Sequence, residues 1–368
     1  MGRRIRLSRI DLGYADGMVL HTATSGAVPM LDELRLVVTE DDAVVALGAS
    51  RMNIAYLSGI DAETLVAACL DAARRVDWTA PWSRLVPALD DVLPDLPAPA
   101  RMLIEIAAAD GAARAAGQPL SVWLGGPAAA RVATNQTLFR TDDATLLKRA
   151  DAYAARGFLD LKLRIGFGPF ADDLRRLALL RHRFGPALRL SADANGSWSA
   201  AEAADHLAAL APLGMDYLEQ PSAADDWDAI ARLSAKSPVP LMLDESLADA
   251  ASIERLIELP SPLPLAHLKL AKLGGLDRLM AAGRRLREAG IGIMVGQMNE
   301  GAVSTLAAAH VAVALAAQRA ELYGADGLAD DPAGSLAYAD GYLVLPPGPG
   351  IGLARHADTG TVLWEYNA

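Results

Sequence analysis

Residues 188–219 read LRLSADANGSWSAAEAADHLAALAPLGMDYLE, and this stretch decides the predicted fold. Residues 188–193 and 215–219 are short apolar runs that predict strands, and residues 199–211 between them carry apolar residues at helical spacing. Ser199 is a suitable cap for the helix start, and Gly214 is placed to end the helix. Two short strands joined by a helix are typical of a parallel β-α-β unit.

The same unit recurs along the chain from about residue 132 to residue 323. The predicted strands are residues 132–138, 159–164, 188–193, 215–219, 239–243, 265–270, 290–295 and 320–323. The predicted helices between them are residues 143–156, 169–184, 199–211, 224–234, 249–258, 274–288 and 301–317. This alternation of strands and helices predicts a closed α/β barrel around a parallel sheet.

The two ends of the chain have different patterns. In the N-terminal part, residues 4–13, 33–39 and 44–47 predict strands and residues 61–76, 82–92 and 98–116 predict helices. A (β/α)8 barrel takes about 250 residues, so a chain of 368 leaves roughly 118 for other structure. We expect an α+β domain at residues 1–125, a barrel at 126–325, and a Gly- and Pro-rich C-terminal return at 326–368 that packs on the first domain.

Composition and charge exclude several classes of protein. Acidic residues outnumber Lys and Arg by 45 to 34, the formal charge is −11, and no basic stripe is present, so neither a nucleic acid nor a membrane surface is an expected partner. Cys69 is the single cysteine, which excludes an intrachain disulfide and a cysteine zinc cage. No apolar run reaches the ~18 residues of a membrane span, and a secretory signal is lacking. We therefore expect a cytoplasmic protein; the sequence leaves open whether it is a homo-oligomer.

Charged residues end the predicted strands one after another. In chain order they are Lys162 and Arg164, Asp193, Glu219, Asp244, Lys269, and Glu321. The steps from Lys162 through the next four strand ends are 31, 26, 25 and 25 residues, each about one strand–helix unit. Because the carboxyl ends of barrel strands meet at one rim, we expect these side chains to share a site there.

Asp193, Glu219 and Asp244, called here the carboxylate trio, supply three hard oxygen ligands. Such a set suits Mg2+ or Mn2+ and leaves coordination positions open for substrate or water. With a substrate carboxylate on the metal, a neighbouring lysine can remove the α-proton while the metal stabilises the resulting enediolate. The ordered set therefore predicts a metal-dependent enzyme that acts on a small carboxylate.

These residues and their surroundings resemble those of the enolase superfamily, in particular its muconate-lactonising-enzyme subgroup. The matching stretches are LKLRIG (161–166), ADAN (192–195), LEQP (218–221), LDES (243–246), LKLAKLGG (268–275) and AELYG (320–324). The resemblance implies an α/β fold. Its core would be a modified (β/α)7β TIM-type barrel, with an α+β capping domain built from the N-terminal region and the C-terminal tail.

The resemblance also implies roles for individual residues. The implied metal ligands are Asp193, Glu219 and Asp244, and the implied supporting residues are Asn195, Gln220 and Glu245. Lys269 matches the catalytic lysine of the sixth strand, Lys162 the first lysine of the second-strand Lys-x-Lys motif, and Glu321 the eighth-strand acid. Gly274-Gly275 match the subgroup's glycine pair, and on their own they mark a tight turn that opens a helix.

The chain departs from the family pattern at Arg164. The second lysine of the motif, normally a proton-transfer base, is arginine here, and a guanidinium stays protonated. The family's glutamate at the end of the third capping strand is also missing from the run LGAS at residues 47–50. Racemisation generally uses acid–base groups on both faces of the α-carbon, so the loss of one base favours a reaction that needs only one.

Two capping-domain loops select the substrate in this fold, and they correspond here to residues 16–31 and 49–60. The polar candidates in them are His21, Thr24, Arg51, Asn53 and Tyr56. After the seventh strand, the candidates for lining the pocket are Gln297, Asn299 and Glu300. The alternative for each of these residues is ordinary loop solvation or packing.

Three hypotheses for the function follow. The first is Mg2+-dependent dehydration of a β-hydroxy acid or hydroxyamino acid, for example a hydroxyproline, with Lys269 as the base. The second is a racemase or epimerase of amino-acid derivatives, or a cycloisomerase. The third is a barrel that binds metal and ligand without turnover. The acid that protonates the leaving group is left open between Glu321, Glu300 and a bound water.

Overall fold

The computed structural model describes residues 2–15, 20–22, 26–259, 265–354 and 359–368, and for residues 20–22, 26 and 27 it describes the backbone alone. The strand and helix bounds below refer to these parts of the chain. No helix within them is long and apolar enough to cross a membrane.

The N-terminal region is built on a four-stranded antiparallel sheet in the order β17-β1-β4-β5, called here the capping sheet. Its strands are β1 (Arg3–Gly13), β4 (Met30–Glu40), β5 (Ala43–Arg51) and β17 (Thr361–Asn367), and a short pair, β2 (Leu20–Thr22) and β3 (Gly26–Val28), precedes β4. Asp41 and Asp42, with φ of 48° and 62°, connect β4 to β5. Positive φ at both central residues is what a two-residue hairpin turn requires.

Helices cover one face of the capping sheet. They are α1 (Ala55–Ser58), α2 (Ala62–Arg75), α3 (Trp82–Val92), α4 (Ala98–Ala115) and α5 (Leu120–Trp123). The three long helices begin and end within one residue of the predicted bounds. A Cβ added to Gly48 of β5 would lie 2.3 Å from the carbonyl oxygen of Leu103, so glycine at this position lets α4 lie directly against the sheet.

Eight parallel strands form the barrel sheet, hydrogen-bonded in chain order. They are β7 (Gln136–Leu138), β8 (Asp160–Arg164), β9 (Arg189–Asp193), β10 (Leu218–Glu219), β11 (Leu241–Leu243), β12 (Leu265–Lys269), β13 (Ile293–Gly296) and β14 (Arg319–Glu321). The helices between them are α6 (Asp143–Ala155), α7 (Phe170–Phe184), α8 (Ala200–Leu210), α9 (Trp227–Lys236), α10 (Ala250–Ile257), α11 (Leu270–Leu273), α12 (Leu276–Glu288) and α13 (Ala302–Ala314). The Asn135 amide donates to the Ala320 carbonyl at 3.1 Å and links the last strand to the first.

The C-terminal return packs on two parts of the molecule. Strand β17 pairs with β1 in the capping sheet. The hairpin β15 (Tyr338–Ala339) and β16 (Tyr342–Val344) pairs with β6 (Arg131–Ala133), just before the barrel.

The capping sheet and part of the barrel share an apolar core. A continuous buried cluster includes Leu34 of β4, Leu103 of α4, Leu268 of β12 and Val303 of α13. Such a shared core fixes the capping region on the barrel instead of leaving it as a free module. The division of the chain at residues 125 and 325 stays a prediction.

Candidate metal and catalytic site

The carboxylate trio lies at the carboxyl ends of three neighbouring strands. Asp193 is the last residue of β9, Glu219 is the last residue of β10, and Asp244 directly follows β11. Parallel pairing places Asp193 beside Glu219, and Glu219 beside Met242, two residues before Asp244. Each of the three is at most 4% exposed. The structure therefore brings the three predicted ligands to one rim of the barrel.

Glu219 and Asp244 come close to each other and to a histidine. Carboxylate oxygens of these two residues and a ring nitrogen of His267 all lie within 4.8 Å of one another. Asp193 is outside this group among the described residues; its Oδ2 accepts a hydrogen bond from Arg164 at 2.6 Å, and its Oδ1 accepts one from the Asn195 backbone amide at 2.8 Å. These residues could hold a divalent cation through Glu219 and Asp244, with Asp193 adjacent on β9.

The two predicted lysines flank the trio from either side. On β8, Lys162 donates to Oε2 of Glu219 at 3.0 Å, contacts Glu321, and lies 3.5 Å from Oδ2 of Asp193. On β12, Lys269 donates to Oδ2 of Asp244 at 2.6 Å. Both lysines are at most 2% exposed. The chain thus places one buried ammonium on each side of the carboxylates.

Burial and neighbouring charges determine the ionisation of these acids. Burial raises the pKa of Asp193 and of Glu219, because a dry environment disfavours a carboxylate and the other acids of the trio add repulsion. Burial acts the same way on Asp244, but Lys269 and Lys272 outweigh it and hold the pKa of that carboxyl well below its ordinary value. Burial also opposes ionisation of Glu321, but Lys162, His267 and Lys269 together outweigh burial and lower the pKa of Glu321 to about 2.

The lysines remain charged beside these acids. Burial disfavours the Lys162 ammonium, but Glu219, Glu321 and Asp193 outweigh burial and raise its pKa. Burial likewise disfavours the Lys269 ammonium, but Asp244 and Glu321 outweigh it and raise that pKa.

Arg164 occupies the position of the missing base. Its Nη1 donates to Oδ2 of Asp193 at 2.6 Å and to Oδ1 of Asn195 at 2.6 Å. Burial disfavours the guanidinium, but Asp193, Tyr323 and Glu321 together outweigh burial and raise the pKa of Arg164 well above its usual value. Arg164 can therefore orient Asp193 and bind an anion, and it cannot accept a proton.

The predicted supporting residues form a hydrogen-bonded layer around the trio. Asn195 donates to Oε1 of Glu245 at 2.9 Å, and Oε1 of Gln220 accepts from the Asp244 amide at 3.1 Å. Asn195 and Gln220 have φ of 45° and 36°, a region that residues other than glycine seldom adopt. Strained backbone of this kind is concentrated at functional sites, where the surrounding structure enforces it.

The second capping-domain loop contributes structural contacts. Arg51 is fully buried and donates to Oδ1 of Asn53 at 2.6 Å and to the carbonyl of Met298 at 2.5 Å. Asn53 also donates to the carbonyl of Met30 at 2.9 Å, and Tyr56 packs half-buried against the core. Arg51 thus bonds this loop to the segment after β13. A role of these residues in substrate binding stays a prediction.

Gln297, Asn299 and Glu300 lie buried at the end of β13, at most 6% exposed. Each has a side-chain atom without a hydrogen-bond partner, namely Nε2 of Gln297, Oδ1 of Asn299 and Oε1 of Glu300. Burial raises the pKa of Glu300 to about 7. Of the first-loop candidates, Thr24 lies outside the described residues, and only the backbone of His21 is described, in β2.

Sequence reasoning missed Lys272. Its ammonium donates to Oδ1 of Asp244 at 2.5 Å and to the carbonyl of His267 at 3.0 Å, and it also contacts the Asp244 carbonyl. The sequence did contain a signal for it: Lys272 lies three residues after Lys269 in the apolar run LKLAKL. A lysine in such a run is expected to be buried, and a buried lysine needs a partner.

Comparisons with known proteins agree with this geometry. A family model described as Enolase C-terminal domain-like matches residues 145–359. N-succinyl-L-Arg/Lys racemase of Bacillus cereus is 29% identical over 262 residues, which cover 71% of this chain and 70% of the racemase. Muconate cycloisomerase 1 of Pseudomonas putida is 30% identical over 259 residues, which cover 68% of each chain.

A solved structure extends the similarity to the whole molecule. The substrate-liganded L-Ala-D/L-Glu epimerase from Bacillus subtilis superposes with a TM-score of 0.86 at 26% identity, covering 96% of this chain and 98% of the epimerase. The family model spans more than half of the chain, and the relatives include racemases, epimerases and cycloisomerases. The chain is therefore an enzyme of the enolase superfamily, within the mandelate racemase and muconate-lactonising-enzyme subgroup.

Proposed function

We propose that this enzyme is a divalent-metal-dependent isomerase that removes and returns the α-proton of a small carboxylate, with Lys269 as the base. The observation that carries the proposal is the placement of Lys162 and Lys269 on β8 and β12, with the carboxylate trio on the three strands between them. A substrate bound at the trio would have an amine on each side. A cytoplasmic location is part of the same proposal.

The donor set fits a hard divalent cation. Members of the superfamily use Mg2+, and here Glu219 and Asp244 offer close carboxylate oxygens, with Asp193 adjacent. Burial, together with the neighbouring acids, raises the pKa of Asp193 and of Glu219, and a bound cation would favour the charged form of both carboxylates. When bound, Mg2+ or Mn2+ would act as a Lewis acid toward the negative charge that develops on the substrate carboxylate.

The chain's own residues would divide the remaining tasks. Lys269 Nζ, in its neutral form, would take the α-proton from one face, and the Lys162 ammonium is the group available to deliver a proton from the other. A cation that shares Asp244 with Lys269 would disfavour the Lys269 ammonium and so favour that neutral form. Arg164 would hold Asp193 and orient an anionic group of the substrate. Relatives that isomerise N-succinyl amino acids and dipeptides make such derivatives the first compounds to test.

Dehydration of a β-hydroxy acid is a second candidate, because one observation favours it. Arg164 stands where a second base is needed, and three acids hold Lys162, so neither of these two side chains is a free base opposite Lys269. Elimination of water needs only one base and an acid for the leaving hydroxyl. Glu300, buried beyond β13 with one unpartnered carboxyl oxygen, is a candidate for that acid.

Proton exchange in D2O separates these reactions. The enzyme with Mg2+ would be incubated with N-succinyl amino acids, dipeptides and β-hydroxy acids, and the products followed by NMR and polarimetry. The proposal expects deuterium at the α-carbon together with the opposite stereoisomer. Loss of water with no opposite stereoisomer would contradict the isomerase proposal and support a dehydratase. Ring closure would indicate a cycloisomerase.

Replacing Lys269 tests whether the barrel turns over at all. We expect Lys269→Met to lower kcat on the active substrate by about 10²–10⁴-fold, because general-base catalysis contributes that much. Lys236→Met, at an exposed lysine of α9, is the matched control and should leave kcat unchanged. Full turnover by Lys269→Met would exclude Lys269 as the base, and absence of any exchange by the unaltered enzyme would favour a binding protein.

A further inference from the structure

Lys272 is a buried cation whose contacts differ from those of Lys269. It belongs to the one-turn helix α11, which starts directly after β12 and ends at Gly274, where φ is 88°. Its ammonium contacts three acceptors, namely the carboxylate of Asp244, the carbonyl of Asp244 and the carbonyl of His267. These acceptors use all three protons of the ammonium.

The three contacts join separate parts of the site rim. The Asp244 acceptors follow β11, the His267 carbonyl belongs to β12, and Lys272 lies beyond β12, so one side chain connects two strand ends. Lys269, by contrast, donates to the single oxygen Oδ2 of Asp244. Of the two lysines on Asp244, Lys272 is therefore the one held in place by the backbone.

The two carboxylate oxygens of Asp244 therefore have different surroundings. Oδ1 faces the fixed ammonium of Lys272, and Oδ2 faces Lys269, which within the described parts of the chain donates to this oxygen alone. A carboxylate held by one oxygen presents the other in a defined direction, and partners of this kind typically change metal affinity by 10–100-fold when they are removed.

We propose that Lys272 is a positioning residue, which fixes the carboxylate of Asp244 and the ends of β11 and β12 so that Oδ2 is presented to a bound divalent cation. The inference rests on the metal site of the proposed function. It adds a residue that acts through Asp244 and does not touch the substrate.

A positioning role and a purely electrostatic role predict opposite results. If Lys272 acted only as a positive charge near the cation, its removal would strengthen cation binding by relieving repulsion. If Lys272 positions Asp244, its removal frees the carboxylate to rotate and leaves the carbonyls of Asp244 and His267 without their donor, so cation binding weakens. The sign of the change in affinity therefore distinguishes the two roles.

The test measures Mn2+ binding to the metal-free full-length protein by titration calorimetry. We expect Lys272→Met to weaken Mn2+ binding by about 10–100-fold and to raise KM, with kcat at saturating Mn2+ within a few-fold of the unaltered enzyme. Lys269→Met should show the reverse, with a large loss of kcat and no weaker Mn2+ binding. Lys236→Met, at an exposed lysine, is the control for loss of a lysine charge.

Two further outcomes keep the test decisive. If Lys272→Met does not fold, Lys272→Gln retains one donor for the Asp244 carbonyl and should bind Mn2+ with intermediate affinity. Unchanged or tighter Mn2+ binding by a folded Lys272 variant would overturn the inference and leave the proposed function intact. Absence of Mn2+ binding by the unaltered protein would instead refute the metal site itself.

Discussion

Arg164 and Lys269 lie at the ends of strands that are four places apart in an eight-stranded sheet, and only one of them can accept a proton. The guanidinium is bonded to Asp193 and Asn195, so it contributes to the orientation of a predicted metal ligand. A lysine at this position could do the same with one hydrogen bond and could also exchange a proton. The arginine therefore cannot transfer a proton, but it makes a fixed contact that is always charged.

Arg164→Lys should restore a second base. On a substrate that the enzyme deprotonates in D2O, we expect the ratio of inverted to retained product to rise by at least about tenfold, because a positioned acid–base group contributes 10²–10⁴-fold. Chiral chromatography of the deuterated products measures that ratio. Arg164→Met, which restores no base, is the control. An equal ratio for the Lys variant and the unaltered enzyme would mean that Lys162 already supplies the second proton.

Single residues also show where sequence reasoning reached its limit. The carboxylate trio could be predicted because acids at the ends of consecutive strands must meet at one rim. Lys272 could not, because its acceptor Asp244 precedes it by 28 residues and only the folded barrel places the two side by side. Arg51 resembled a polar loop residue, and its burial depends on the Met298 carbonyl, 247 residues away.

At the scale of elements, the start of helix α8 was predictable because a local signal exists there. Ser199 and Glu202 form a capping box that starts α8, as the serine before the helix indicated. Helix α11 had no such signal, because its four residues continue the apolar pattern of β12. One turn is too short to show helical periodicity, so α11 was not predicted, and the helix predicted at residues 274–288 corresponds to α12.

Helices α4 and α12 meet through a buried acid. Glu105 of α4 accepts hydrogen bonds from the backbone amides of Leu276 and Asp277 at 2.8 and 2.9 Å, at the start of α12. Arg101 completes the contact by donating to Glu105 and to Asp277. A Cβ added at Gly275 would overlap Oε2 of Glu105, so the glycine pair found in the sequence makes room for this carboxylate.

Glu105→Ala should loosen the attachment of the capping region to the barrel. We expect the free energy of unfolding to fall by on the order of 3 kcal/mol, because two helix-start amides and the Arg101 guanidinium lose a buried acceptor. Chemical denaturation followed by circular dichroism measures the change. Asp71→Ala, in an exposed pair with Arg75, is the control and should change stability by less than about 1 kcal/mol. An equal effect at both positions would contradict this account of the interface.

At the scale of the whole molecule, the two ends of the chain pair with each other, and the N-terminal region contacts the barrel. Strand β17 pairs with β1 in the capping sheet, and Ser121, at the end of the N-terminal region, contacts His310 of α13. The Ser121 amide donates to Nδ1 of His310 at 3.2 Å, which requires that nitrogen to be unprotonated. Burial lowers the pKa of His310 to about 4, so this contact between the two regions is stable only while the imidazole stays neutral.

The contact at His310 predicts a loss of stability in acid. An unfolded histidine titrates near 6.5 and His310 in the folded protein near 4, so below pH 6.5 the unfolded chain binds the extra proton and stability falls as the pH falls towards 4.

His310→Gln should remove this pH-dependent loss of stability. The free energy of unfolding is measured by urea denaturation at pH 7.5 and at pH 5. Between these pH values we expect the unaltered protein to lose on the order of 2 kcal/mol more stability than the variant. His182→Gln, at an exposed histidine of α7, is the matched control. Parallel pH profiles for His310→Gln and the unaltered protein would show that the interface does not depend on a neutral imidazole.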